Sequence, residues 1–343
     1  MKKITKKITS LARFILAVVI IWYLLNKMNL PATWGFLKNT VNHWPWLLLG
    51  FFLFFACIVL GAIRWKIGLS IQNMDMTWKR VFSIFLIGHF FNAFMFGTTG
   101  GDLARIFYAA RETHCGKTEA TTTIIMDRIL GIVALIAITA VMLIFKRDFY
   151  MAYPELRSIY YFMWTFIAVL IGVGILALNL KWLGKFSFAH RILNQKKWNM
   201  GDYIKRVYKS FAIYKMHPWK LTLMVAISAL AHIIIFMHCM AIGRSLGIDL
   251  GLIDYFTLVP AIIFVSAIPI TPGGVGIREY MAVTMLGTMG ISQAQAFPLS
   301  IMVYLYSLVW SLLSGIVFVC YSTNSGRSAL TDLDQIRMEA EEE

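Results

Sequence analysis

Residues 123–145 read TIIMDRILGIVALIAITAVMLIF. After Arg128 no charged residue appears up to Phe145. The run is close to the ~20 residues that a helix needs to cross the hydrocarbon core of a bilayer. It is continuously apolar rather than alternating, which excludes a strand of a membrane barrel. Only helices and closed barrels satisfy their backbone groups in lipid. The stretch therefore predicts a membrane helix with an acid and a base, Asp127 and Arg128, near its head.

Similar apolar segments lie at Leu11–Leu25, Trp44–Ile63, Val81–Phe96, Ile159–Leu180, Leu221–Ile242, Ile253–Ile270, Val275–Met289 and Phe297–Tyr321. Hydrophobic residues make up 59% of the 343 and charged residues 14%, with a mean hydropathy of +0.70. A soluble domain of this length needs more polar surface than that. The chain is read as an all-α polytopic membrane protein forming one membrane domain over residues 1–343.

The net charge of +15 has a topological explanation, because Lys and Arg collect in cytoplasmic loops and are drawn to anionic lipid. No nucleic-acid-reading module accompanies it, so nucleic acid is not expected as a partner. Cys57, Cys115, Cys239 and Cys320 are scattered, which suggests neither a disulfide framework nor a zinc site. Lys2, Lys3, Lys6 and Lys7 precede an apolar stretch with no A-x-A-like cleavage site behind it, so an uncleaved first span is expected.

If all nine segments crossed, the loop charges would alternate sides, and they do not. With the N-terminus inside, the loop holding Arg64, Lys66, Lys79 and Arg80 is cytoplasmic. The segment Lys181–Lys220 carries ten Lys and Arg against the single acid Asp202 and would then fall outside. Letting residues 81 to about 110 enter and return, broken at Gly97-Thr98-Thr99-Gly100-Gly101, restores it to the cytoplasm. Ile253–Ile270 and Val275–Met289, broken by Pro269, Pro272, Gly273, Gly274 and Gly276, then dip in from outside. The result is about six full spans plus two re-entrant Gly/Pro-broken hairpins, with both termini cytoplasmic in the inner (cytoplasmic) membrane. Residues 1–158 and 159–321 can be read as inverted repeats, followed by an acidic tail, 322–343. The repeat rests on topology alone. Interrupted helices in opposed repeats commonly flank a transporter's binding site, and broken backbone at that depth lines a cavity or is buried in protein.

Charged residues in apolar context are functional candidates. Gly100, Gly101, Asp102 and Arg105 form one group, since Asp102 and Arg105 are three apart and can pair on one helix face. A plain ion pair capping the next helix explains the same residues. Asp127 and Arg128 point about 100° apart on a helix and so pair with other groups; a structural salt bridge is the simpler account. Pro272, Gly273, Gly274, Gly276, Arg278 and Glu279 form the third group. A Gly-rich turn opening a helix offers N–H groups to an anion, and Arg278 offers a bidentate fork, although a packing kink would need the same Pro and Gly. His89 and Asn92 share a face of the first hairpin and are candidates for lining the cavity. Asp102, Arg105, Arg278 and Glu279 are expected to meet as one network, because an unpaired charge at depth is costly. His232 and Cys239 have no third ligand in view, so no metal is expected, and no cofactor motif is present.

The motifs GTTGGDLARIFYAAR (97–111), MDRILG (126–131) and IPITPGGVGIREY (268–280) together resemble the flippase-like family of the lysylphosphatidylglycerol synthase transmembrane region. The resemblance covers roughly Leu11 to Tyr321. It implies a lipid-handling membrane domain with Gly100, Gly101, Asp102, Arg105, Asp127, Arg128, Pro272, Gly273, Gly274, Gly276, Arg278 and Glu279 at the matching positions. After Tyr321 only a short tail follows, so the soluble aminoacyl-transfer domain is not expected and the lipid stays open. The leading expectation is a translocator of an anionic or phosphate-bearing lipid, an anionic phospholipid or a polyprenyl-phosphate lipid, with room for a homo-oligomer and no catalytic residues. Two other readings stand beside it. One is an integral-membrane lipid or glycosyl transferase using Asp102, Asp127, Asp254 or Glu279. The other is a transporter of a small anionic solute. Without a nucleotide-binding motif, movement is passive or coupled to an ion gradient.

Overall fold

The computed structural model describes residues 34–35, 38, 40–94, 100–113, 116–178, 210–266, 271 and 274–324. The expected first span Leu11–Leu25, the turn at Gly97-Thr98-Thr99, the basic segment up to residue 209, Pro269, Pro272, Gly273 and the acidic tail lie outside them. A 3-10 turn, Thr40–His43, leads into α1, Trp44–Ile71. There follow α2, Trp78–Phe94, α3, Gly100–Thr113, α4, Lys117–Phe145, α5, Arg147–Ala152, and α6, Pro154–Leu178. The second half holds α7, Pro218–Ser245, α8, Leu252–Ser266, α9, Ile277–Gly287, and α10, Gln293–Asn324. Pro45 and Pro218 sit in the first turns of α1 and α7, where a missing N–H costs no helical bond.

The protein is an all-α, multi-pass membrane protein. Among the described residues, Thr40–Ile71, Lys117–Phe145, Pro218–Ser245 and Gln293–Tyr321 are each long and apolar enough to cross a bilayer. The helices that flank the two Gly/Pro breaks are shorter. With 17, 14, 15 and 11 residues, α2, α3, α8 and α9 reach only about 26, 21, 22 and 16 Å at 1.5 Å per residue, against a core of ~30 Å. They pack as two pairs, α2 on α3 and α8 on α9.

The two halves share a packing plan. α1 lies against α7, α1 also packs on α2, and α7 on α8. α3 packs on α4 as α9 does on α10, while α2 crosses to α10 and α8 crosses to α4. Two core clusters each draw on both halves: Trp65, Ile84, Ile87, Phe91 and Tyr108 pack with Phe318 of α10, and Phe236, Tyr255, Phe264 and Met285 cluster with Leu135 and Leu143 of α4 and Tyr150 of α5. α1 and α7, both 28 residues long, also stop in the same way. Met74 N–H bonds Leu69 O at 3.0 Å and Ile248 N–H bonds Gly243 O at 2.9 Å. Between them the chain turns through left-handed Asn73, φ 55°, and Gly247, φ 74°. This is the same terminal motif twice, with a buried apolar residue after each turn.

One boundary differs from the sequence reading in a way that matters. α1 does not end near Ile63 but runs eight residues further, so Arg64 and Lys66 belong to a helix rather than to a cytoplasmic loop. The extra turns are held by burial of Trp65, Leu69 and Ile71, which a hydropathy window breaking at Arg64 overlooks.

Candidate functional site: a buried arginine–aspartate cluster

The site is assembled where α3 leans on α2. Gly101 N–H donates to Asn92 Oδ1 at 3.1 Å. A Cβ on Gly101 would meet the Asn92 side chain at 2.5 Å and the Gly88 carbonyl closer still. The close approach lays Arg105 along Gly88, where a Cβ would stand 2.7 Å from Arg105 Cγ and Cδ. Two glycines thus open a slot for one arginine stem. The Arg105 guanidinium then lies 4.4 Å from the Trp65 ring centre and 4.7 Å from that of Phe85, both favourable cation–π placements. Trp65 is fixed by its indole N–H, which donates to Thr123 Oγ1 at 3.2 Å.

From there the charges form a chain. Arg105 Nη2 donates to Asp127 Oδ2 at 3.3 Å. The other carboxylate oxygen, Oδ1, accepts from Arg64 Nε at 2.6 Å. Arg64 Nη1 reaches Ser228 Oγ on α7 at 2.8 Å. On the other side Arg105 Nη1 is 3.9 Å from Asp102 Oδ1, the i,i+3 pair expected. Asp102 Oδ2 accepts from Arg128 Nε. Exposure is lowest at Asp127, 4% for its side chain, and rises on one side through 8% for Arg105 and 13% for Asp102 to 46% for Arg128, and on the other to 16% for Arg64. Removing such charges from water is costly even when they are paired, so a five-member cluster inside a membrane protein is a functional candidate.

The second group stands apart. Arg278 Nε donates to Glu279 Oε1 at 3.0 Å and to Ser300 Oγ at 3.2 Å, and its guanidinium lies 5.0 Å from the Tyr304 ring centre. Ser300 Oγ–H donates to Glu279 Oε1 at 3.2 Å, and Gly276 N–H donates to Oε2 at 2.6 Å. Glu279, 3% exposed, therefore already occupies the N-terminus of α9 that the sequence offers to an anion. No hydrogen bond or ion pair joins Asp102 or Arg105 to Arg278 or Glu279, so the single network expected of these four is two clusters, one in each half. Each acid finds a base within its own half, which removes the reason to reach across.

Asn92 lies at the first break as a hydrogen-bond partner of Gly101 rather than as an unattached cavity group. His89 packs toward Phe54, 6.0 Å between ring centres, and its Nε2 is buried without a partner. His232 Nε2 bonds Gly131 O at 3.1 Å and His238 Nδ1 bonds Gly50 O at 2.8 Å, so both serve helix packing. Among the described residues no group of three His, Cys, Asp or Glu could hold a metal ion. Sequence reasoning missed Arg64, Trp65, Gly88, Ser228 and Ser300. The nearest signal was an Arg-Trp pair ending an apolar run.

The fold and the site together define an all-α, multi-pass membrane protein with short paired helices beside a buried charge cluster. The chain is a member of the family of the lysylphosphatidylglycerol synthase transmembrane region, which it matches over residues 10–315. It is also 22% identical, over 289 residues, to the UPF0104 membrane protein MJ1595 of Methanocaldococcus jannaschii, covering 82% of this chain and 86% of that one. The family ties the chain to lipid-related membrane functions.

Proposed function

We propose that this protein is a flippase-like translocator that moves an anionic or phosphate-bearing lipid between leaflets. The observation that carries the reading is the arm of the charge chain that runs from buried Asp127 through Arg105 and Asp102 to half-exposed Arg128. Arg128 is the outward member, and behind it Asp102, Arg105 and Asp127 supply alternating charge from α3 and α4. An arginine fork suits a phosphate oxygen pair, and a headgroup arriving at Arg128 competes with the carboxylate of Asp102. Arg105, held between two rings and two acids, keeps that carboxylate in place. Asp127 and Glu279 have both oxygens engaged, and Asp254 Oδ2 accepts from Gly251 N–H at 2.9 Å. That gives the transferase reading few carboxylates to act as base.

The shared packing plan and the two matching helix ends support a repeat, 1–158 and 159–321; on our reading it is inverted, with the short pairs as re-entrant hairpins and both termini cytoplasmic in the inner membrane. Such an arrangement places the charge chain beside a broken helix, where polar cargo is commonly held. The test is flipping of labelled anionic and zwitterionic lipids in proteoliposomes. Arg128→Gln keeps side-chain length but removes charge and fork, and should lower anionic-lipid movement about tenfold or more with melting unchanged. Full activity in this variant, or equal rates for every lipid in the parent, would sink the proposal.

A further inference from the structure

Trp65 and Lys66 are consecutive on α1 and so point about 100° apart, which sends them to different places. Trp65 covers Arg105, whereas Lys66 Nζ lies 5.8 Å from the ring centre of Trp78 at the start of α2. Trp78 is 39% exposed, and Lys79 beside it is exposed as well. Among the described residues, neither Lys66 nor Lys79 has a carboxylate within ion-pair distance. The neighbouring Arg80 differs, since it pairs with Glu112 at 3.3 Å. Two lysines without an acid therefore flank one exposed indole.

From Trp78 a row of rings runs along α1, α2 and α10. Trp78 stacks on Phe82 with centres 5.7 Å apart, and Phe82 meets Phe55 edge-on at 6.3 Å. Phe55 stacks on Trp310 at 4.7 Å, and Trp310 on Phe51 at 4.5 Å. The Trp310 indole is fixed by donating to Phe51 O at 3.3 Å. None of these five rings is buried, so the row is a wall open on one side. At its far end Phe51, with Trp44, Leu48 and Leu305, lines an apolar cavity of about 450 Å³. Lys66 is 22 residues beyond Trp44, or ~33 Å of helix, close to the ~30 Å of the hydrocarbon core. These two residues thus mark opposite faces of the membrane. Phe55 is 11 residues from Lys66, or ~16 Å, which is the depth of one leaflet and the reach of one acyl chain.

We propose that this seam binds one anionic phospholipid, with its phosphate at Lys66 and Lys79 over Trp78 and one acyl chain along Phe82, Phe55 and Trp310. The lysines select negative charge. Trp78 sits at headgroup level, as interfacial indoles do, and the rings give the chain a rigid wall. On the topology proposed above this end is cytoplasmic, the side on which anionic lipid attracts basic segments. The lipid is a bound component rather than cargo. Its groups come from α1, α2 and α10, whereas Asp102 and Arg128 come from α3 and α4, and the proposal holds whether or not the protein translocates lipid.

The experiment uses the full chain in detergent micelles and phosphatidylglycerol carrying a diazirine midway along one acyl chain. Irradiation should label the peptides that hold Phe55, Phe82 or Trp310. Unlabelled phosphatidylglycerol should compete, and phosphatidylcholine should not. Lys66→Gln and Lys79→Gln should each raise the concentration for half-maximal labelling about fivefold, the weight of one lysine facing anionic lipid. Lys66→Arg, which keeps the charge, should label like the parent. Lys215→Gln removes an exposed lysine elsewhere and should change nothing. Label on α3 or α4 reports cargo and is scored separately. No label on the three ring peptides overturns the site. Equal competition by phosphatidylcholine does the same, by reducing the seam to annular lipid. So does an equal loss in Lys215→Gln, which would mean diffuse charge, or parent-like labelling in Lys66→Gln and Lys79→Gln. Should one of those two variants not fold, the other decides.

Discussion

Asp127→Asn keeps shape and hydrogen-bonding reach while removing one charge from the middle of the arginine–aspartate chain. Asp127 is 3% exposed and is shared by Arg64 at 2.6 Å and Arg105 at 3.3 Å. Removing one partner of a buried ion pair typically costs about 3–5 kcal/mol, because the charge left behind has lost its counter-ion. Here Arg105 keeps Asp102 at 3.9 Å and Arg64 keeps Ser228 at 2.8 Å, which places the effect near the low end. A loss of about 3 kcal/mol shifts the folding equilibrium roughly 150-fold. Reversible unfolding in mixed micelles measures it. Adding Arg64→Gln to Asp127→Asn should recover part of the loss, with a coupling of about 1–3 kcal/mol, since the double variant no longer buries an uncompensated pair of arginines. A loss under about 1 kcal/mol in Asp127→Asn, together with additive effects in the double variant, would falsify the view that this carboxylate neutralises two buried arginines.

Gly101→Ala should destabilise the protein by about 2–3 kcal/mol or more through overpacking between α2 and α3. Gly287→Ala, where a Cβ meets nothing within 4 Å, should be near neutral in the same melting assay; similar losses in both would discount the close approach. Single cysteines placed in residues 181–209 should react with impermeant reagents only from the cytoplasm, and those near Asp249 only from outside. Labelling of both regions from one side would exclude two re-entrant hairpins.

Membrane class and helix order were legible because lipid demands long apolar runs, and those runs coincide with α1, α4, α6, α7 and α10. The two short pairs were legible because Gly and Pro punctuate them and the positive-inside count fails without them. Partners were less legible. That Asp127 and Arg128 bond away from each other followed from helical geometry, yet nothing in the sequence links Arg64 to Asp127 across 63 residues or Gly88 to the stem of Arg105. Those are facts of packing at a helix crossing. Likewise the N-terminus of α9 reads as an open anion site until Glu279 is seen folding back on Gly276.

The turn between α7 and α8 has a mechanical consequence. Tyr255 presses its ring end against Gly243 so closely that a methyl group there has no room. Gly243 O accepts from Ile248, Arg244 pairs with Asp249 and donates to Leu250 O, and Gln295 reaches Leu246 O. An elbow braced at so many points does not bend. α8 therefore travels with α7 like a crank fixed to its shaft.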